Sequence, residues 1–354
     1  MGLNLPKTTP GWIYCIREQD YLDQTWGRYV KLGLTARTVE QRIREHQTGN
    51  PRRETSEYNI KLELMHYGEK YLHHYFATDR IAGEWFDLDN QRVMADVAPI
   101  LQTLQAEMTA RAADFRTWEG IKNVVSSGIE RPPTPAETAL HEQYIAAEAE
   151  YKVAEALHKV HDHNLRAMIG PHDGLEGALR LIEVSGSESL DQTAFMAMLT
   201  PAQIALCDET KTAIKGTLNL KGAGPLKSLN QAVDTALKAA KASVTSKPGL
   251  SNLTAQPQGL TQAIKDEHML FLSSKRALKV AEWVCLQLKA QLVAALGVDD
   301  AITDVITWKR TEETATAFSS KLAKKHFPNE YLACMTKGSN SVRVDMHEGR
   351  TYVP

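Results

Sequence analysis

Five residues between Gly11 and Leu88 combine reactive side chains with workable spacing: Tyr14, Lys31, Arg42, His46 and Glu69. Tyr14 closes the strand-like run Gly11-Trp12-Ile13-Tyr14, and Lys31 sits in Tyr29-Val30-Lys31-Leu32-Gly33. In an antiparallel pair the two can project to one face, where a phenol and an ammonium beside a phosphate tune one another. Taken alone, the same runs also describe an ordinary strand tyrosine and a solvated edge lysine. After the turn Gly33-Leu34-Thr35, the capping-box pattern Thr38-Val39-Glu40-Gln41 predicts a helix starting at Thr38. Val39 and Ile43 make its buried side. Arg42 and His46, four residues apart, share another stripe and can face one ligand, although such a pair by itself reads as solvated surface. The stretch Glu69 to Phe76 puts Leu72 and Phe76 on the core side of a further helix, with Glu69 and His73 one turn apart. A carboxylate held near the core boundary calls for a metal, a cation or hydrogen-bond donors.

The formal net charge of the 354 residues is −2, which excludes a uniformly basic nucleic-acid binder. The average conceals a local excess. From Arg28 to Arg53 there are seven positive residues (Arg28, Lys31, Arg37, Arg42, Arg44, Arg52, Arg53) against Glu40 and Glu45, a net of five positive charges. With Trp26, Tyr29 and Tyr58 nearby, this patch suits phosphate contacts supplemented by aromatic packing, or else a solvated basic face.

The ordered set resembles the GIY-YIG nuclease superfamily, and its phage and prophage DNA-binding branch in particular. The pieces are Trp12-Ile13-Tyr14 for GIY and Lys31-Leu32-Gly33 for YIG, followed by Thr35, Arg42 and His46. Glu69, Leu72, His73 and Phe76 come next, and Glu84-Trp85-Phe86 closes the set. The resemblance implies a small three-stranded antiparallel sheet flanked by helices. It also implies a metal-dependent DNA endonuclease in a phage or mobile-element setting. In such an enzyme Tyr14 would deprotonate or orient the attacking water, Arg42 would neutralise the phosphate, Lys31 and His46 would assist, and Glu69 would hold one Mg²⁺ or Mn²⁺. Arg28, Arg37, Arg44, Arg52 and Arg53 would bind DNA. Lys31 stands where the family name requires tyrosine; a lysine can hydrogen-bond a phenolate and lower its pKa. Asn90 matches the family's late asparagine by position only. The alternatives are a non-catalytic DNA-binding protein acting with phage recombination or replication partners, and a structural protein assembled through its helices.

Two Pro-, Gly-, Ser- and Thr-rich stretches, Ser126 to Pro135 and Ser243 to Gln258, read as linkers. They predict an α/β domain over 1–125, a helical region over 136–242 that spaces or oligomerises, and a long helix with a small α/β tail over 259–354. β-prone runs fall at Trp12 to Ile16, Tyr29 to Leu34 and Ile60 to Tyr67. In the middle, Leu140, Tyr144, Ala147, Tyr151 and Ala154 form a stripe, and Thr200-Pro201-Ala202-Gln203 starts a helix. The closing helix spans roughly Leu260 to Leu296. Leu288 to Gly297, Thr307-Trp308-Lys309, Phe318, Pro328, Tyr331 and Ser341-Val342-Arg343 together resemble the tail of YqaJ-type phage recombinase exonucleases, implying a folding or partner-docking module. Asp208-Glu209-Thr210-Lys211 falls in a predicted helix, which argues against a second nuclease centre. His158, His161 and His163 read as a polar helix end rather than a metal cluster. Seven lysines from Lys211 to Lys247 against Asp234 could hold DNA loosely or stay solvated. The four cysteines are too dispersed for a zinc site or disulfides. No signal-peptide core or bilayer-length apolar run occurs, and Pro6 replaces the Ser or Thr of a myristoylation signal. The expectation is therefore a cytoplasmic protein with no membrane partner.

Overall fold

The computed structural model describes residues 3–48, 50–244 and 256–352. The expected linker Ser243 to Gln258 has its residues 245–255, including Lys247, outside this set. Strands β1 (Gly11–Gln19), β2 (Trp26–Thr35) and β3 (Arg53–Leu62) form the centre of the N-terminal sheet. The short strands β4 (Arg80–Ala82) and β5 (Trp85–Phe86) extend it, in the order β3-β1-β2-β5-β4, with every pairing antiparallel. The sheet thus has five strands rather than three, because Trp85 and Phe86 close onto the outer edge of β2 at Lys31 and Val30. The run expected as strand through Tyr67 stops at Leu62, and Met65 already begins a helix.

Alternation along β1 and β2 separates two faces. On one, Ile13, Cys15, Leu32 and Leu62 join the main core with Tyr71 and Leu72 of α2 (Met65–Tyr75). Full burial of each large aliphatic side chain there stabilises by about 1.5–3 kcal/mol. Gly68 lets α2 come this close, since a Cβ at that position would run into Leu62 Cδ1. On the other face, Tyr14 and Ile16 pack with Val39 of α1 (Val39–Gln47). The Thr38 capping box with Gln41 is formed as the sequence predicts.

A short helix α3 (Asn90–Arg92) and a π-turn lead into α4 (Ala98–Ile121), whose Leu101, Leu104 and Met108 complete the core under the sheet. Beyond β6 (Glu130–Arg131) come α5 (Pro135–Ala167), β7 (Gly174–Leu175), β8 (Leu179–Val184), β9 (Glu188–Leu190), α6 (Gln192–Ala197) and α7 (Pro201–Ala205). These are followed by β10 (Asp208–Lys215), β11 (Asn219–Leu220), α8 (Leu226–Leu229) and α9 (Gln231–Ser243). Then comes the 35-residue helix α10 (Gln262–Leu296). The end of the chain adds β12 (Ala301–Ile302), β13 (Ile306–Thr307), β14 (Thr311–Phe318), α11 (Ser320–His326), α12 (Pro328–Ala333), β15 (Met335–Lys337) and β16 (Ser341–Met346).

Helix α10 joins the parts. Trp283 stacks on Phe115, donates to Glu107 at 2.6 Å and lies 5.0 Å from the Tyr67 ring, while the helix also packs along α5. Thr200 caps α7 through the expected box with Gln203. Asp208 to Lys211, expected in a helix, instead belong to β10. Thr210 pairs with Thr316 and Thr212 with Thr314 through their hydroxyls, at 2.7 and 2.8 Å. β-Branched residues facing one another across two strands favour the ladder over a helical turn. Strands of the middle segment pair with strands of the tail: β10 with β14, β9 with β15, and β8 with β16. All four cysteines are buried and free. No helix among the described residues is long and apolar enough to cross a membrane.

Candidate functional site

Register places the first motif residues together. Tyr14 lies opposite Gly33 and Ile16 opposite Lys31, so Tyr14 and Lys31 share the face covered by α1. Tyr14 is 1% exposed, and its ring rests directly on Gly33, where a Cβ would lie 2.6 Å from the phenolic oxygen. Only glycine leaves room for a tyrosine laid across β2 in this way.

The turn after β2 returns α1 over this face, with the Thr35 hydroxyl accepting from Arg37 N at 3.0 Å. Arg42 and His46, on one stripe of α1, both reach the tyrosine. The His46 ring meets Tyr14 edge-on with centroids 6.3 Å apart. Arg42 is the cation that most favours the Tyr14 phenolate, but burial outweighs it and the phenol is pushed up from its ordinary value. Arg42 donates to Glu45 at 3.1 Å, while its buried Nε has no hydrogen-bond partner among the described residues.

Lys31 serves a different neighbour from the one its spacing suggested. Its ammonium stands 3.0 Å from His46 Nδ1 and 3.5 Å from Glu84. Burial, then Lys31 and Arg42, lower the His46 pKa, so a neutral ring accepts the lysine N–H on Nδ1. Glu54 lies 3.8 Å from the same nitrogen.

Glu69 arrives from the other side of the sheet. Its helix is held at the edge of β2 by His73, whose Nε2 donates to the Leu32 carbonyl at 2.9 Å. Burial keeps His73 neutral by lowering its pKa. One turn earlier on the same stripe, Glu69 is half-buried, and its carboxyl is pushed up to about 7, first by burial and then by the charge of Glu84. A half-buried carboxyl that a second carboxylate pushes up marks a place that favours a cation. Among the described residues no group of three or more His, Cys, Asp or Glu converges on one point. Any divalent ion would therefore take one or two carboxylates and fill its remaining positions with water or phosphate oxygens.

The basic patch is present at the surface around this centre. Arg28 grips Asp87 with two bonds of 2.8 and 2.6 Å, Arg37 pairs with Glu45, and Arg44 Nε reaches the Glu40 carbonyl at 3.4 Å. Arg52 donates to the Thr25 carbonyl at 3.5 Å, and the exposed Arg53 opens β3. Exposed pairs of this kind contribute little to stability, so exchange of a carboxylate for a phosphate costs little.

The sheet, α1, α2 and the Glu84 turn all lie within one recognisable unit. The T5orf172 domain family matches residues 11–100. No curated protein and no solved structure matches the chain. The T5orf172 match begins at the first residue of β1 and takes in Tyr14, Lys31, Arg42, His46, Glu69 and Glu84, a quarter of the chain.

Within the matched segment, three motif positions have roles that the sequence does not assign. Glu84 was read only as part of Glu84-Trp85-Phe86, yet its side chain pairs with Lys31 and its carbonyl accepts from Leu32 N at 2.9 Å. An acid placed between a turn glycine with positive φ, Gly83, and two aromatic strand residues was the available signal. His73 positions α2, and Gly33 seats Tyr14. Asn90 starts α3, which Asp89 caps. Outside the segment, the histidines of α5 bridge to α10: His158 to Ser274 and His161 to Glu267, each at 2.7 Å.

Proposed function

We propose that the N-terminal unit binds DNA through its Arg28 to Arg53 surface and hydrolyses a phosphodiester bond with one divalent metal ion. Phage or mobile-element DNA would be its setting. The observation that carries this reading is a linked set of side chains about the β1–β2 pair: Arg42 and His46 at Tyr14, Lys31 between His46 and Glu84, and Glu69 within reach of the charge of Glu84. Hydrolysis needs a positioned nucleophile, charge relief on the phosphoryl oxygens and a stabilised leaving oxygen. The Tyr14 hydroxyl orients the attacking water. Arg42, held beside Tyr14 and bonded only to the exchangeable Glu45 carboxylate at its outer end, takes a non-bridging phosphate oxygen. Lys31, steadied by His46 and Glu84, supplies a second positive charge and a proton donor on the same face. Glu69, with Glu84 beside it, offers hard oxygen ligands suited to Mg²⁺ or Mn²⁺, which when bound would polarise the phosphate and lower the pKa of a water molecule.

A second reading, a DNA-binding module without turnover, is favoured by one specific observation: Tyr14 is 1% exposed and its phenol is pushed up, the opposite of a poised base. Plasmid nicking with Mg²⁺ or Mn²⁺ separates the two when run beside Glu69→Ala and EDTA and followed by gel shift. Nicking that both controls stop, with binding retained, supports the hydrolase. Binding without nicking on any DNA form replaces it with the binding module.

A further inference from the structure

Helices α5 and α10 each use one side to build the core of the chain, and each carries a second stripe left largely open among the described residues. On α10 the positions Leu270, Ala277, Val284 and Gln291 recur every seven residues, with Ser273, Val280 and Gln287 three residues after the first three of them. On α5, Gln143, Glu150 and Leu157 keep the same sevenfold spacing, flanked by Ala146 and Val153. A repeat of seven with partners at three is the pattern of a helix that packs against another along a seam. Leu157, Leu270, Val280 and Val284 are 39%, 49%, 37% and 43% exposed, an unusual density of large apolar groups along two adjacent helices. Between the helices the surface sinks into three successive grooves of about 580, 670 and 480 Å³, each lined in part by alanines.

Charge identifies the occupant. Glu150 borders all three grooves, is exposed, and has no ion-pair partner among the described residues. Arg276 borders the middle groove with it, flat over the Tyr75 ring at 3.9 Å and donating to the Tyr75 hydroxyl, yet does not pair with Glu150. A two-fold axis through this face would bring each unpaired acid to the other copy's arginine, forming the same contact twice. Two helices of 33 and 35 residues are each about 50 Å long at 1.5 Å per residue, which is enough to bury a standard interface.

We propose that the outer face of the α5–α10 pair is a homodimer interface that closes a four-helix layer, with Glu150 of each copy meeting Arg276 of the other. The inference is independent of the nuclease reading, since none of these residues lies in the N-terminal centre. Sedimentation of the full chain at tens of micromolar tests it, with thermal melting to confirm that each variant folds. A dimer is expected for the wild type and a monomer for Val284→Glu. Glu150→Arg and Arg276→Glu should each weaken association by about tenfold or more, equivalent to about 1.4 kcal/mol, and the double exchange should recover it. A monomeric wild type overturns the proposal. So does a folded double exchange that stays as weak as the single variants.

Discussion

The ring of Tyr14 lies on Gly33, its register partner across β1 and β2, with the position of a Gly33 Cβ only 2.6 Å from the phenolic oxygen. Gly33→Ala must therefore move the hydroxyl away from Arg42 and His46. The expected cost is about 1–3 kcal/mol of stability from overpacking. A displacement of the hydroxyl on the ångström scale would also lower any nicking rate by about a hundredfold. Urea unfolding and a plasmid time course measure the two effects separately, and unchanged nicking would remove Tyr14 from the reaction.

Glu69 makes a prediction with a definite sign. Its carboxyl is raised from 4.5 to about 7, so between those values the folded state binds more protons than the unfolded chain, and stability falls as pH rises through that window. Glu69→Gln removes the ionisation. The variant should gain melting temperature over the wild type at pH 8 relative to pH 5, and Mn²⁺ should raise the wild-type value at pH 8 while leaving the variant unchanged. A gap between the two proteins that does not depend on pH would contradict the assignment.

Three histidines should show the opposite trend. Burial lowers His74 to about 3, and His158 and His268 to about 4, each below the ordinary 6.5. As pH falls below 6.5 the unfolded chain takes up protons that these folded side chains refuse, so folding loses stability between pH 6.5 and about 4. His268, fully buried with Nδ1 2.9 Å from the Tyr352 hydroxyl, is the clearest probe. His268→Gln should flatten the decline in urea midpoint between pH 7 and pH 5.

Thr38 holds the start of the helix that carries Arg42 and His46, accepting from Gln41 N at 3.3 Å. Thr38→Ala should cost about 1 kcal/mol through the lost cap. Thr38→Ser should restore it. Weaker gel shift in the alanine variant alone would tie DNA affinity to the seating of α1.

What the sequence made legible was local. The Thr38 and Thr200 boxes, the stripe joining Arg42 to His46 and the extent of α10 all follow from spacing within a few residues, and all are present. The role of Lys31 was less legible: its strand position is right, but its partners His46 and Glu84 come from a helix and a turn that spacing along β2 cannot specify. Asp208 to Lys211 looked helical because the strand they form depends on threonines of β14, far along the chain. Nor can local pattern reveal that Arg310, 1% exposed, donates to the carbonyls of Val124 and Gly297 and so ties the ends of α4 and α10 together.

The pairing of β8 with β16 has a kinetic consequence. Arg180 and Asp345, bonded across those strands, are 165 residues apart, whereas β1, β2 and β3 pair with near neighbours. Closing so long a loop delays the contacts that reward it. The N-terminal sheet can therefore assemble while the ribosome is still at work. The remaining sheets each include a strand of the tail, β12 or later, and must wait for it to emerge, so refolding should proceed in two separable phases, an early one reported by Trp12 and a late one reported by Trp308 beside β13.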